Sequence, residues 1–143
     1  MATSSDRPDD LQPDGRDITT RRLREQSQLD FELEFFGKIL ERDPFHTEVL
    51  GVHAGNLAAK GQYNRALSLD RRLVRLQPER AIPWYNLACS YAVLGLTEPA
   101  FSALERALEL GYHHLNHAKR DPDLKSLRDD PRFARLLRHA TEP

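Results

Sequence analysis

An internal repeat is the feature that most constrains how this chain can fold. When the sequence is compared with itself at a shift of about 34 residues, turn residues, small residues and apolar residues align together. The aligned pairs are Gly61 with Gly95, Ala66 with Ala100, Ala54 with Ala88, Leu76 with Leu110, and Pro44 with Pro78. A unit of this length cannot bury its apolar face alone, so neighbouring units must stack against one another.

The spacing of apolar residues predicts helices throughout. In the stretch 18–42, Leu29, Leu33, Phe36 and Leu40 recur every three or four positions, which is the helical period. Glycines end the later helices, Thr47 and Thr97 are the expected N-caps, and two Asp-Pro pairs start short helices near the C-terminus. Short connections make successive helices antiparallel.

The second copy of the repeat carries the fullest motif. The packing residues of its first helix are Trp84, Leu87, Ala88 and Tyr91. Gly95 forms the turn, and the second helix contributes Ala100, Leu104 and Ala107. This pattern resembles the tetratricopeptide repeat, and the segment from Tyr112 to His139 resembles the closing segment of many bacterial members. The resemblance implies an all-α fold, a short right-handed solenoid of antiparallel helix pairs.

We therefore predict five segments: a disordered N-terminal tail at 1–17, an N-terminal helical half repeat at 18–46, repeat 1 at 47–80, repeat 2 at 81–114, and a C-terminal helical cap at 115–139. The solenoid then has about two full repeats. Repeat 1 departs from the motif at Asp70, where a bulky residue is expected.

Composition limits the classes of function. The chain has 143 residues, of which 39% are hydrophobic and 30% charged, and its net charge of −1 gives no single-sign field for nucleic acid or an anionic membrane. Cys89 is the only cysteine, so neither a disulfide within the chain nor a cysteine-based zinc site is possible. No secretory signal or membrane span is apparent, which predicts a cytoplasmic protein.

The first helix of each pair in such a solenoid lines the concave face, and here that face is small and apolar. Glycines at 51 and 55 cost roughly 1 kcal/mol each relative to alanine inside a helix, so a close neighbour would account for them. We expect a non-catalytic adaptor or scaffold that binds an unidentified partner's peptide or helix there. The candidate site comprises Gly51, Gly55, Ala58, Ile82, Tyr85, Asn86, Cys89, Val93 and Arg120.

Three alternatives remain open. The chain's own Ile18–Leu23 segment or the C-terminal cap could cover the groove, or an exposed apolar face could pair two copies into a homodimer. Some members of the family grip the terminal carboxylate of an acidic peptide with lysine, asparagine and arginine side chains. In this sequence Asn86 and Arg120 match that clamp, whereas Gly51, Gly55 and Asn116 do not.

The histidines near the C-terminus and the single cysteine are the candidates for metal binding or catalysis. His113, His114 and His117 form a cluster in which the first and last lie four residues apart, a spacing that could hold a metal, and this is a minor alternative. Cys89 lies mid-helix in an apolar run, where its pKa should rise, so it is not expected to be a nucleophile. No phosphate-binding glycine loop or catalytic carboxylate pair is apparent, so we expect neither an enzyme nor a cofactor.

Overall fold

Helices make up the regular structure of this protein. The computed structural model describes residues 18–141, and within that range no strand occurs. The elements are α1 (Ile18–Arg42), α2 (Thr47–Ala59), α3 (Tyr63–Leu76), α4 (Ala81–Val93), α5 (Thr97–Glu109), α6 (Leu115–Arg120), a 3-10 turn (Pro122–Leu124), α7 (Lys125–Arg128) and α8 (Pro131–Thr141). The all-α prediction is confirmed. The tail predicted at 1–17 lies outside the described residues.

Successive helices pack against one another along the chain. Helix α1 contacts α2, α2 contacts α3, α3 contacts α4, and α4 contacts α5. The last segment closes this stack, because the 3-10 turn and α7 pack on α4 while α8 packs on α5. The predicted solenoid of helix pairs with a helical cap is therefore confirmed.

Glycines with positive φ form the turns inside the helix pairs. Gly61 has φ +80° and Gly95 has φ +75°, a conformation that disfavours any residue with a Cβ. After α4, the amide of Leu96 donates to the carbonyl of Tyr91 at 2.9 Å and that of Gly95 donates to Ala92 at 3.0 Å. These bonds form a Schellman motif, which satisfies the last carbonyls of the helix and reverses the chain.

Small residues let the helices of the second pair approach closely. Ala88 on α4 and Ala100 on α5 are both fully buried, and Leu104 beside them is also fully buried. The same cluster continues into the cap through Leu124 and Leu127. One apolar core therefore joins repeat 2 to the cap, and it holds the cap in a fixed position over α4.

The structure corrects both predicted threonine caps. Thr47 and Thr97 are the first helical residues of their helices, not the caps. His46 caps α2, where its Nδ1 accepts a hydrogen bond from the amide of Val49 at 3.3 Å. Leu96 precedes α5 and makes no side-chain cap. An imidazole nitrogen can take the role of the expected hydroxyl because either group accepts an orphan N–H bond.

Candidate functional site

A groove runs between the first helices of the two full pairs, and it ends under the cap. It encloses a cavity of about 210 Å³. We call it the concave groove and define it by its lining residues, which come from α2, α3, α4 and the cap: Gly51, Ala54, Gly55, Ala58, Tyr63, Asp70, Tyr85, Asn86, Cys89, Ser90, Val93, His117, Asp121 and Asp123.

The α2 wall of the concave groove is formed by residues without bulky side chains. A Cβ added at Gly55 would meet nothing within 4 Å, and one at Gly51 would meet only the Leu73 side chain at 3.7 Å, an ordinary contact. The packing of the described chain therefore does not require glycine at either position. Their effect is to leave open space above the middle of α2.

A stack of two tyrosines and Asp121 of the cap close one end of the concave groove. The rings of Tyr85 and Tyr112 are parallel within 7°, with centroids 4.1 Å apart. Tyr85 is only 4% exposed, and its hydroxyl donates to Asp121 Oδ2 at 2.7 Å. Burial, followed by this hydrogen bond to a carboxylate, raises the pKa of Tyr85 and keeps its hydroxyl protonated.

Asp121 uses its two carboxylate oxygens for different tasks. Oδ1 accepts the amide of Asp123 at 3.0 Å and so caps the 3-10 turn, as the Asp-Pro pair predicts. Oδ2 faces the concave groove, where it accepts from the hydroxyl of Tyr85 and from the thiol of Cys89 at 3.7 Å and lies 3.2 Å from His117 Nε2. A residue expected only to start a helix therefore also lines the candidate site.

One group of three potential metal ligands occurs within residues 18–141. Its ligand atoms lie within 4.8 Å of one another and belong to Cys89, Asp121 and Asp123. Burial, with the nearby aspartates, raises the pKa of the Cys89 thiol. A metal ligand must be the thiolate, so a raised pKa opposes that role. Burial and the charge of Asp121 also raise the pKa of Asp123.

Asp70 places a buried carboxyl group in the concave groove. It is 6% exposed, and its Oδ2 accepts the hydroxyl of Ser90 at 2.5 Å. Burial raises the pKa of this carboxyl from 3.8 to about 6, although the Ser90 hydrogen bond acts in the opposite direction. One repeat later the equivalent residues are Leu104 and Leu124, both fully buried. A carboxyl–hydroxyl pair thus replaces an apolar pair.

The structure brings together most of the residues predicted for the site. Those that line the concave groove are Gly51, Gly55, Ala58, Tyr85, Asn86, Cys89 and Val93. Ile82 lies elsewhere, 52% exposed, in a separate depression with Gly111 and His114. Arg120, the last residue of α6, is exposed and does not line the groove.

The expectation of a small and apolar concave face is corrected by this geometry. Tyr85 and Cys89 are covered by the cap and form the wall of a closed end, not an open surface. Three aspartates line the same space: Asp70, Asp121 and Asp123, which we call the acidic lining. Asp70 could have been suspected because it breaks the repeat motif, but the other two reach the groove only through the placement of the cap.

The histidine cluster is not assembled as a ligand set. The rings of His113 and His114 lie near each other, with centroids 4.3 Å apart, and His113 Nδ1 lies 3.4 Å from the Gly111 carbonyl. His117 instead approaches Asp121 and the ring of Tyr85. Among the described residues, the three imidazoles do not form a group of converging ligand atoms.

A wider depression of about 530 Å³ lies between α1, α2 and α3, away from the predicted site residues. Its lining mixes both charge signs, for example Glu34 with Lys38 and Glu41 with Arg72. His53 lines it and is 5% exposed, and its Nδ1 has no hydrogen-bond partner among residues 18–141. Burial, followed by the charge of Arg65, lowers the pKa of His53 and favours the neutral ring.

The fold and the groove together define a class of protein. Antiparallel helix pairs at a spacing of about 34 residues, glycine turns, close alanine contacts and a concave groove are features that this chain shares with tetratricopeptide-repeat proteins, which its sequence resembles. No protein-family model matches the chain. No helix within residues 18–141 is long and apolar enough to cross a membrane.

Curated relatives match part of the chain. A chloroplastic protein from Arabidopsis thaliana is 35% identical over 85 residues, which is 57% of this chain and 25% of that protein. The human cell division cycle protein 16 homolog is 35% identical over 57 residues, which is 40% of this chain and 9% of that protein. The chain therefore spans a quarter or less of the length of these relatives.

Solved structures support the fold over most of the chain. A crystal structure of MamA superposes with a TM-score of 0.67 and 20% sequence identity, and the match covers 87% of this chain and 73% of MamA. A second MamA structure gives the same TM-score at 19% identity and covers 84% of this chain. At this level of identity, the likeness concerns the fold.

Proposed function

We propose that this protein is a non-catalytic interaction module that binds a peptide or helix of a partner protein in the concave groove. The observation that carries this proposal is the pair of mid-helix glycines on α2. Neither Gly51 nor Gly55 is required by the packing of the described chain, yet each costs roughly 1 kcal/mol relative to alanine. Open space above a rigid helix allows another backbone to approach closely.

The seven predicted residues that line one groove support the same proposal. They come from the first helices of both full pairs, as expected for a solenoid that presents one continuous surface to a ligand. The raised pKa values of Cys89 and Tyr85 keep both groups protonated, which suits hydrogen bonding better than nucleophilic chemistry.

The test is to fill the groove without disturbing the fold. Gly55→Leu adds a side chain at a position where a Cβ meets no atom of residues 18–141 within 4 Å, and Ala59→Leu adds bulk to an exposed residue of the same helix outside the groove. Both variants should keep the helical circular dichroism spectrum. We expect the wild type and Ala59→Leu to capture partners from the host that Gly55→Leu does not capture. These partners should be purified, and their binding to each variant should be measured directly.

Retention of every wild-type partner by Gly55→Leu, with unchanged affinity, would contradict the proposal. Loss of the same partners by Ala59→Leu would show that the effect arises from general damage to α2. A change specific to Gly55→Leu is the expected result.

Self-association is a second candidate function, and the surface of α1 favours it. Leu23, Phe31 and Phe35 are 60%, 62% and 50% exposed, and the two phenylalanine rings stack with centroids 5.9 Å apart. These residues leave an apolar face on the helix, of a kind that often marks an interface. Charge is also segregated, with Arg22 and Arg24 in the first half and acidic residues such as Glu34 in the second. An antiparallel pair of α1 helices would place opposite charges together.

Multi-angle light scattering at high protein concentration tests this candidate. We expect a dimer mass for the wild type and a monomer mass for the variant with both Phe31→Ser and Phe35→Ser. Phe45→Ser is the matched control, because Phe45 is 64% exposed but follows α1. A monomeric wild type across the whole concentration range would remove this candidate.

A further inference from the structure

We infer that the concave groove holds an arginine side chain of its partner, with the guanidinium placed against the acidic lining of Asp70, Asp121 and Asp123. The inference rests on the proposed function, because it names the chemical group that the bound peptide must carry. It concerns the sign of the charge in the groove, which the small and apolar residues of α2 do not determine.

Charge complementarity is the first argument. Three carboxyl groups line the concave groove, and no lysine or arginine is among the lining residues of the described chain. The guanidinium of Arg128 donates to the backbone carbonyl of Asp121 and not to its carboxylate. His117 is the cationic candidate at this end, but it is 63% exposed and carries charge only when protonated. The acidic lining therefore has no permanent positive partner.

The closeness of Asp121 and Asp123 is the second argument. Oxygen atoms of the two side chains lie within 4.8 Å of each other, and they share this space with the thiol of Cys89. Two carboxylates this close repel each other when both are ionised. A cation between them would relieve that repulsion, whereas an acidic ligand would increase it. The carboxylate-clamp mode of the family, which needs basic residues, is disfavoured on the same ground.

The placement of Asp70 is the third argument, and this residue lies on α3 and not in the cap. At a shift of 34 residues, positions 70 and 90 correspond to Leu104 and Leu124, which are both fully buried members of one apolar cluster. In the first copy, the corresponding pair is Asp70 with Ser90, which lines the cavity of the concave groove. A carboxyl group in place of an apolar core residue lowers the stability of the free protein, and a cationic ligand that pairs with this group offsets that loss in the complex.

The number and arrangement of acceptors favour arginine over lysine. The concave groove offers carboxylate oxygens from α3 and from the cap, at Asp70 beside Ser90 and at Asp121 beside Tyr85 and Cys89. A guanidinium carries five donors in a planar fork and can bridge several acceptors at once. The ammonium group of lysine has three donors at a single point and would satisfy fewer of them.

A random-peptide phage library provides the test. The library is selected on the full-length wild type and depleted on Gly55→Leu, so that the surviving sequences depend on an open groove. We expect arginine to be enriched at one position of these sequences. Replacement of that arginine by citrulline, a neutral group of nearly the same shape, should weaken binding roughly tenfold or more, as for other charged hydrogen bonds in shielded sites.

Variants of the protein identify the acceptors. Asp70→Asn and Asp123→Asn should each weaken binding of the arginine peptide several-fold and leave binding of the citrulline peptide nearly unchanged. Asp129→Asn is the matched control, because Asp129 is an exposed aspartate of the cap outside the groove. Circular dichroism and thermal unfolding verify that each variant is folded.

The outcomes separate this inference from the proposed function. Peptides that depend on Gly55 but carry no enriched arginine, or that bind equally well with citrulline, would overturn the inference and leave the groove as a binding site. Failure to recover any peptide that depends on Gly55 would overturn both. An equal loss of affinity in Asp129→Asn and Asp123→Asn would also overturn the inference, because it would show a diffuse effect of charge.

Discussion

Asp70 should make the protein less stable as the pH rises. The carboxyl is 6% exposed and burial raises its pKa to about 6, so the folded protein keeps this proton at pH values where the unfolded chain has released it. The folded state therefore binds more protons than the unfolded state between pH 4 and 6. By linkage, this group's contribution to stability is greatest at low pH and is lost as the pH passes through 6.

The magnitude follows from the two pKa values. Above pH 6 both states are ionised, and the difference between 3.8 and about 6 corresponds to roughly 3 kcal/mol of lost stability relative to the protonated carboxyl. About half of that loss, roughly 1.5 kcal/mol, develops between pH 5 and pH 8. The sign is opposite to that of a carboxylate stabilised by an ion pair, whose contribution disappears as the pH falls.

Urea unfolding of the wild type and Asp70→Asn at pH 5 and pH 8 measures this contribution. Asparagine keeps the size of the side chain and can accept the Ser90 hydrogen bond, but it does not titrate. Relative to the wild type, the variant should gain roughly 1.5 kcal/mol on going from pH 5 to pH 8. An identical difference at the two pH values would refute the argument. Asp129→Asn, on the surface of the cap, should show no such gain.

Two further predictions concern the helices and the closed end. Gly95→Ala should lower the free energy of unfolding by roughly 1 kcal/mol because Gly95 has φ +75°. Gly55→Ala should raise it by roughly 1 kcal/mol because Gly55 is helical and a Cβ there has free space. If chemical unfolding gave changes of the same sign for both variants, the backbone argument would be contradicted. Tyr85→Phe should cost roughly 1–3 kcal/mol by thermal unfolding, since Asp121 loses a buried donor, and a loss no larger than that of Tyr63→Phe on the surface would contradict it.

The fold could be predicted because its determinants are local and repeated. Gly61 and Gly95 mark the same turn in two copies, and both adopt the positive φ that only glycine takes easily. The alanines at 88 and 100 mark the close helix contact, and both are fully buried. The two predicted threonine caps are wrong for local reasons as well, since the imidazole of His46 caps α2 one position earlier and α5 begins without a side-chain cap.

The groove could be predicted only in part. Gly51, Gly55 and Cys89 follow from the register of the first helices, and all three line it. The charge of the site depends on contacts between residues far apart in the chain, because Asp121 reaches the groove through the packing of the cap on α4, where it accepts the hydroxyl of Tyr85. No pattern in the sequence fixes that contact. The prediction that Ile82 lines the groove is not met, since Ile82 lies in a separate depression beside the turn at Gly111.

The cap and the groove share a residue, and this determines which experiments can separate stability from binding. Asp121 holds the 3-10 turn through one oxygen and faces the groove through the other, so any change at this position alters both properties. Asp70 and Asp123 line the same space, and neither is a helix cap. A carboxyl that lowers stability in the free protein but strengthens binding has the signature of a functional residue. Loss of binding together with a gain of stability in Asp70→Asn at pH 8 would therefore distinguish a functional carboxyl from a structural one.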